Sequence, residues 1–197
     1  GNLLGGEQSG HIADVGFDLY MRMVGEAVNE YKTGIVPQGD EDLRRDCKVE
    51  LPINAHLSEE YVPGERIRLD LYRRLADVAT PADVQLIREE LVDRFGPLPI
   101  EAEALLEVAE LRALAKSHGI TEVVATGKFL RLSPLLLPES RQLKLTRLYP
   151  GSLYKGATRT VMVTLPKSHA WTPSQPTPEI VDTSLLVWVK QAVSELT

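Results

Sequence analysis

A chain of 197 residues with 43% hydrophobic and 25% charged side chains can bury one ordinary core plus an appendage, or two small cores, without a covalent staple. Its single cysteine, Cys47, excludes an intramolecular disulfide framework and points to a reducing cytosol. A net charge of −6, with local basic clusters, Arg44-Arg45 and Arg73-Arg74, that are short and interleaved with acids, argues against a free-standing nucleic-acid binder.

The opening GNLLGGEQSG is a Gly-rich loop. It has neither an initiator Met nor the basic start and apolar run of a signal peptide, and it reads as the beginning of an excised fragment. Ile12, Val15, Leu19, Tyr20, Met23, Val24, Ala27, Val28 and Tyr31 then recur at helical spacing as far as Gly34, which predicts one long amphipathic connector helix over 11–33. The polar stretch 34–46, with Pro37 and Gly39, is a linker.

Strict alternation at Val49, Leu51 and Ile53 predicts a half-buried strand. Ile67, Leu71, Leu75 and Val78 mark a helix over 64–79. Thr80-Pro81 opens the next, with Thr80 suited to the N-cap and Pro81 to the first turn. Its inward stripe is Val84, Ile87, Leu91 and Phe95, and Gly96 closes it. A further helix runs from Pro99 to Gly119, with Ala102, Leu105, Leu106, Ala109, Ala113 and Leu114 inward.

After Gly119 the period changes to two. Residues 120–125 and 129–132 flank Gly127-Lys128 as a hairpin, 139–148 suits a short helix, and 161–165 is another strand. The Pro-rich run 171–178 is a loop. Leu185, Val189, Val193 and Leu196 give a last helix its apolar face. The expected fold class is α+β: the long connector helix, followed by a compact domain of several helices and a small mixed sheet over 47–197. No stretch is long and apolar enough to span a membrane.

Few residues point to catalysis. There is no G-x-x-x-x-G-K-[ST] phosphate loop and no G-x-S-x-G turn. His11, His56, His118 and His169 lack metal-ligand spacing, and Cys47 has no histidine nearby in sequence. The expectation is a segment with no catalytic residues, no metal and no cofactor of its own.

The informative charged element is Glu89-Glu90-Leu91-Val92-Asp93-Arg94-Phe95-Gly96. At roughly 100° per residue, Glu90, Asp93 and Arg94 share one arc beside the apolar stripe, and Glu90 can pair with Arg94 at i, i+4. That arc is either a solvated helix face or a docking face for a partner of complementary charge.

Two segments together resemble one family. GNLLGGEQSGHIADVGFDLY is similar to the end of the translocation motif of bacterial transcription-repair coupling factors and, more loosely, of the RecG branch-migration helicase. DCKVELPINAHLSEEYVPGERIRLDLYRRLADV, followed by EELVDRFGPLP, resembles the domain that closes the coupling factor and that the RecG helicase lacks.

The resemblance implies a parent that is an ATP- and Mg-dependent translocase on duplex DNA in the cytoplasm. Such a parent pushes stalled RNA polymerase off a lesion and recruits UvrA, the damage sensor of the nucleotide-excision-repair excinuclease. Gln8 matches the glutamine of the translocation motif, so 1–33 would be the end of that motif and its connector, 34–46 a linker, and 47–197 the C-terminal regulatory domain. In the family this closing domain packs on an excinuclease-B-like (UvrB-like) N-terminal module and covers the surface that UvrA binds. The same resemblance carries the docking role onto Glu90, Asp93 and Arg94. Both motor lobes of the family are missing from the chain, so the fragment is expected to be an autoinhibitory interaction module without enzymatic activity. An autonomous DNA-binding domain is the alternative.

Overall fold

A computed structural model describes residues 47–179 and 181–197. Gln8, the expected connector helix and the linker lie outside the described residues. The described chain divides into two compact units, 54–110 and, discontinuous in sequence, 47–53 with 111–197.

The first unit is helical. Its helices are α1 (Glu65–Ala76), α2 (Pro81–Phe95) and the first turns of α3 (Ile100–Ser117). Glu65 in the first turn of α1 and Arg73 and Arg74 in its last complement the helix dipole. Leu71, Tyr72 and Leu75 of α1 are buried, as are Val84, Ile87 and Leu91 of α2. Burying a side chain of this size contributes about 1.5–3 kcal/mol, and these two stripes repeat at the spacing the sequence predicts.

In α3, Ala102, Ala104, Leu105, Leu106, Val108 and Ala109 are all buried and share an arc of roughly 200° around the axis, with the half-buried Glu103, Glu107 and Glu110 on the remaining side. So broad an apolar stripe lets one helix pack on more than one neighbour. The connection before α1 contributes Ala55, Leu57 and Val62 to the buried set, and the Leu57 N–H donates to the Tyr72 hydroxyl at 2.8 Å.

The second unit is built on a five-stranded mixed sheet: β1 (Lys48–Glu50), β2 (Glu122–Thr126), β3 (Phe129–Ser133), β4 (Leu153–Lys155) and β5 (Thr160–Thr164), in the order β1-β2-β3-β5-β4. β1 runs parallel to β2 and the other pairings are antiparallel. Parallel neighbours need a long crossover, and here the chain makes the whole helical unit between them.

Just past the end of α3, Gly119 takes φ 74 and its N–H donates to the Lys116 carbonyl at 3.0 Å, while the Ile120 N–H reaches the Ala115 carbonyl at 3.0 Å. This pair of bonds satisfies the last carbonyls of the helix and turns the chain into β2. The β2–β3 hairpin closes on Gly127-Lys128 with Thr126 opposite Phe129; Gly127 takes φ 62, as the first residue of a II′ turn requires. β3 and β5 alternate buried and half-buried residues, placing Leu130, Leu132, Val161 and Val163 on the covered face.

Two further helices, α4 (Glu139–Leu148) and α5 (Thr183–Leu196), complete this unit. They are joined by a Lys144–Glu195 ion pair at 3.8 Å and by the edge-on packing of Tyr149 against Trp188, 5.6 Å between centroids.

The fold class is therefore α+β, as the change of period implies. Two details differ from the sequence reading. Leu51 and Ile53 are buried, but Pro52 between them is buried too and the strand pairing does not reach them: β1 stops at Glu50, before Pro52, which has no N–H for a ladder. β4 has no counterpart in the sequence pattern. It is a three-residue edge strand with two of its three side chains exposed, so it leaves no hydrophobic trace.

Candidate docking face

α2 is fixed at both ends by groups outside its own hydrogen-bond ladder. At its start the Thr80 hydroxyl accepts from the Asp83 N–H at 3.2 Å, and the Asp83 carboxylate accepts from the N–H groups of Ala79 and Thr80, each at 3.0 Å. These bonds, led by the one from Ala79, hold the Asp83 carboxyl below its ordinary value. At its end Gly96 takes φ 86, and the Tyr61 hydroxyl lies 2.8 Å from the Gly96 carbonyl and 3.2 Å from that of Leu91. The Tyr61 ring meets Phe95 edge-on, 5.9 Å between centroids. A helix so clamped presents its outer face in one orientation.

Leu91 is fully buried, whereas Phe95, which the stripe places inward, is half-buried at the helix end. Of the three candidate residues, Asp93 and Arg94 are exposed and Glu90 is half-exposed. The structure brings Glu90 and Arg94 together at 3.9 Å, in the i, i+4 relation read from the sequence. Arg94 also lies over the Phe95 ring, 5.0 Å from its centroid. Asp93 stands beside this pair.

Glu90 is not a free charge, because the guanidinium of Arg74, on α1, binds its Oε2. Arg73-Arg74 reads in the sequence as a solvated basic pair, and a contact between residues 16 apart on different helices has no periodic signature. A second feature escapes the sequence pattern as well. Leu86 is 64% exposed, and at roughly 100° per residue it falls on the same arc as Glu90 and Asp93.

Elsewhere the structure gathers Ser168, His169, Asp182 and Ser184. His169 Nδ1 lies 3.0 Å from the Ser168 hydroxyl and Nε2 lies 2.7 Å from Asp182 Oδ2. The Asp182 carboxylate also accepts from the Ser184 N–H at 3.0 Å and from the Ser184 hydroxyl, capping α5. The Ser184 hydroxyl foremost, then His169, holds the Asp182 carboxyl below its ordinary value. The order serine–histidine–carboxylate is that of a nucleophilic triad, but Ser168 and His169 are chain neighbours on one short 3-10 turn (Lys167–His169). The arrangement acts as a clasp across the Pro-rich loop.

Among the described residues no three of His, Cys, Asp and Glu are grouped to hold a metal ion, and no helix is long and apolar enough to cross a membrane.

Residues 51–138 match the TRCF domain family. The chain is 45% identical over 175 residues to the transcription-repair-coupling factor of Mycobacterium bovis, covering 85% of this chain and 14% of that protein, and equally similar to that of Mycobacterium tuberculosis. It is 36% identical over 179 residues to the factor of Staphylococcus epidermidis, covering 87% of this chain and 15% of that one. The chain thus spans about a seventh of the length of these relatives. Among solved structures, the crystal structure of a C-terminal domain of transcription-repair coupling factor shares the fold, with a TM-score of 0.55 over 77% of this chain and 93% of that one at 17% identity.

Proposed function

We propose that this chain is the C-terminal regulatory part of a transcription-repair coupling factor, an interaction module that holds its parent closed. The parent is an ATP-dependent translocase that works in the cytoplasm on duplex DNA and removes stalled RNA polymerase. In the closed state the outer face of α2 docks through Glu90, Asp93 and Arg94 on the excinuclease-B-like N-terminal module of the same protein. That contact masks the surface that UvrA would bind. The fragment contributes regulation; ATP and Mg belong to the motor, and Gln8 belongs to the remnant of the translocation motif.

The observation that carries this reading is a rigidly capped helix with a mixed-sign outer face inside the stretch that matches the TRCF domain. Charge complementarity at such a face selects a partner and its register more than it adds affinity. A contact that opens on cue needs a closed state favoured by only a few kcal/mol, and removal of one member of a covered charge pair shifts such an equilibrium strongly.

The test is a titration of UvrA against full-length wild type and a Glu90→Ala/Asp93→Ala/Arg94→Ala variant. The expected result is tighter binding by the variant, matched by deletion of residues 47–197. Unchanged affinity with both proteins folded removes the docking role from these residues.

A further inference from the structure

Glu90 lies between two guanidinium groups. Arg74, in the last turn of α1, and Arg94, one turn further along α2, approach the same oxygen, Oε2, with Arg94 at 3.9 Å and Arg74 in direct hydrogen-bonded contact. Arg74 exposes 40% of its side chain, Glu90 34% and Arg94 44%, so the three form a half-exposed ridge running from one helix to the other.

The position of Arg74 has two consequences for a surface that becomes covered. Glu90, Asp93 and Arg94 alone carry one uncompensated negative charge, which Arg74 cancels. A balanced, hydrogen-bonded cluster costs far less to desolvate than an unbalanced one. Glu90 with only the distant Arg94 beside it would also sample several rotamers. A planar guanidinium arriving from a second helix fixes the carboxylate before any partner meets it, so less side-chain freedom is lost on docking.

We propose that Arg74 is the positioning residue of the docking face, and that the face therefore spans α1 and α2 rather than α2 alone. The complementary surface is of mixed sign: it sets a cation against Asp93 and an acid against the outward N–H groups of Arg74 and Arg94. This inference rests on the docking reading of Glu90, Asp93 and Arg94 given above.

The experiment uses the full-length protein and titrates UvrA against five forms: wild type, Glu90→Ala, Arg74→Ala, the Arg74→Ala/Glu90→Ala double variant, and the charge exchange Arg74→Glu/Glu90→Arg. Arg74→Ala is expected to raise affinity for UvrA about as much as Glu90→Ala does, and the double variant no further, as coupled residues behave. The charge exchange restores an ion pair between the helices and recovers most of the thermal midpoint. It presents inverted signs to the partner, so its affinity for UvrA stays raised.

Wild-type affinity in Arg74→Ala beside raised affinity in Glu90→Ala overturns the role of Arg74 and leaves the docking reading standing. A charge exchange that restores closure together with the thermal midpoint shows that Arg74 acts only on the stability of the helical unit, and also overturns it. No change in Glu90→Ala or in the triple variant overturns the docking reading, and this inference with it.

Discussion

Leu91, Phe95 and Glu90 lie within six residues of one another on α2 and meet three different environments. Leu91 is fully buried, and its truncation to alanine is expected to cost about 2–5 kcal/mol through lost burial and the cavity left behind. Phe95 is half-buried against Tyr61, so Phe95→Ala is expected to cost less than Leu91→Ala. Glu90 pairs with Arg74 and Arg94 at a half-exposed site, where such pairs contribute about 0–1 kcal/mol. Denaturant melts of the three variants check the order, and equal losses would mean the helix register is wrong. The sequence periodicity reads Leu91 correctly because a stripe of period 3.6 reports which side chains face inward. It overstates Phe95, because periodicity does not say where the neighbouring chain stops covering the helix.

At the scale of the element, legibility follows sequence distance. The cap of α2 is readable because Thr80, Pro81 and Asp83 are adjacent and each residue type has a local reason to be there. Thr80→Ala is expected to destabilise by about 1 kcal/mol. The bonded Asp83 carboxyl makes this cap sensitive to acid. Its folded pKa lies below the ordinary value of 3.8, so its stabilising contribution is present above that value and is lost as the pH falls through the folded one. Melts of wild type and Asp83→Ala should therefore differ at neutral pH and draw together in strong acid, whereas the Thr80→Ala gap, which comes from a hydroxyl bonded to a backbone N–H, should change little; an Asp83→Ala gap undiminished at low pH would exclude the ionised carboxylate from the cap. By contrast, β4 has no local reason visible in its sequence, since Leu153 and Lys155 are exposed and the strand exists only through pairing with β5. Arg74 is hidden for the same reason, its meaning being supplied by a residue on another helix.

For the molecule as a whole, the change from helical to alternating period at Gly119 is what makes the α+β class legible, and the Schellman bonds there show why the change is abrupt. The division into two units is not legible, because the sheet recruits β1 from before the helices and no pattern in 47–53 names β2 as its neighbour. The Pro-rich loop also carries more order than its composition suggests. Trp171 donates its N–H to the Gly127 carbonyl at 2.8 Å, the Gly127 N–H donates to the Thr172 hydroxyl at 3.0 Å, and the Trp171 indole donates to the Pro176 carbonyl at 3.1 Å.

That stapling gives the molecule a built-in optical reporter. The sequence holds two tryptophans, Trp171 and Trp188, one tied to the β2–β3 turn and the other packed on Tyr149. Both belong to the sheet unit, so ultraviolet emission excited in the tryptophan band comes from 47–53 and 111–197, and the helices that carry Glu90 and Arg74 are dark. Substitutions at Arg74, Glu90, Asp93 and Arg94 are accordingly expected to leave the emission maximum of residues 47–197 where it stands in wild type. A red-shifted spectrum from any of them would mark a lesion that has reached the sheet, and would disqualify that variant as a probe of docking.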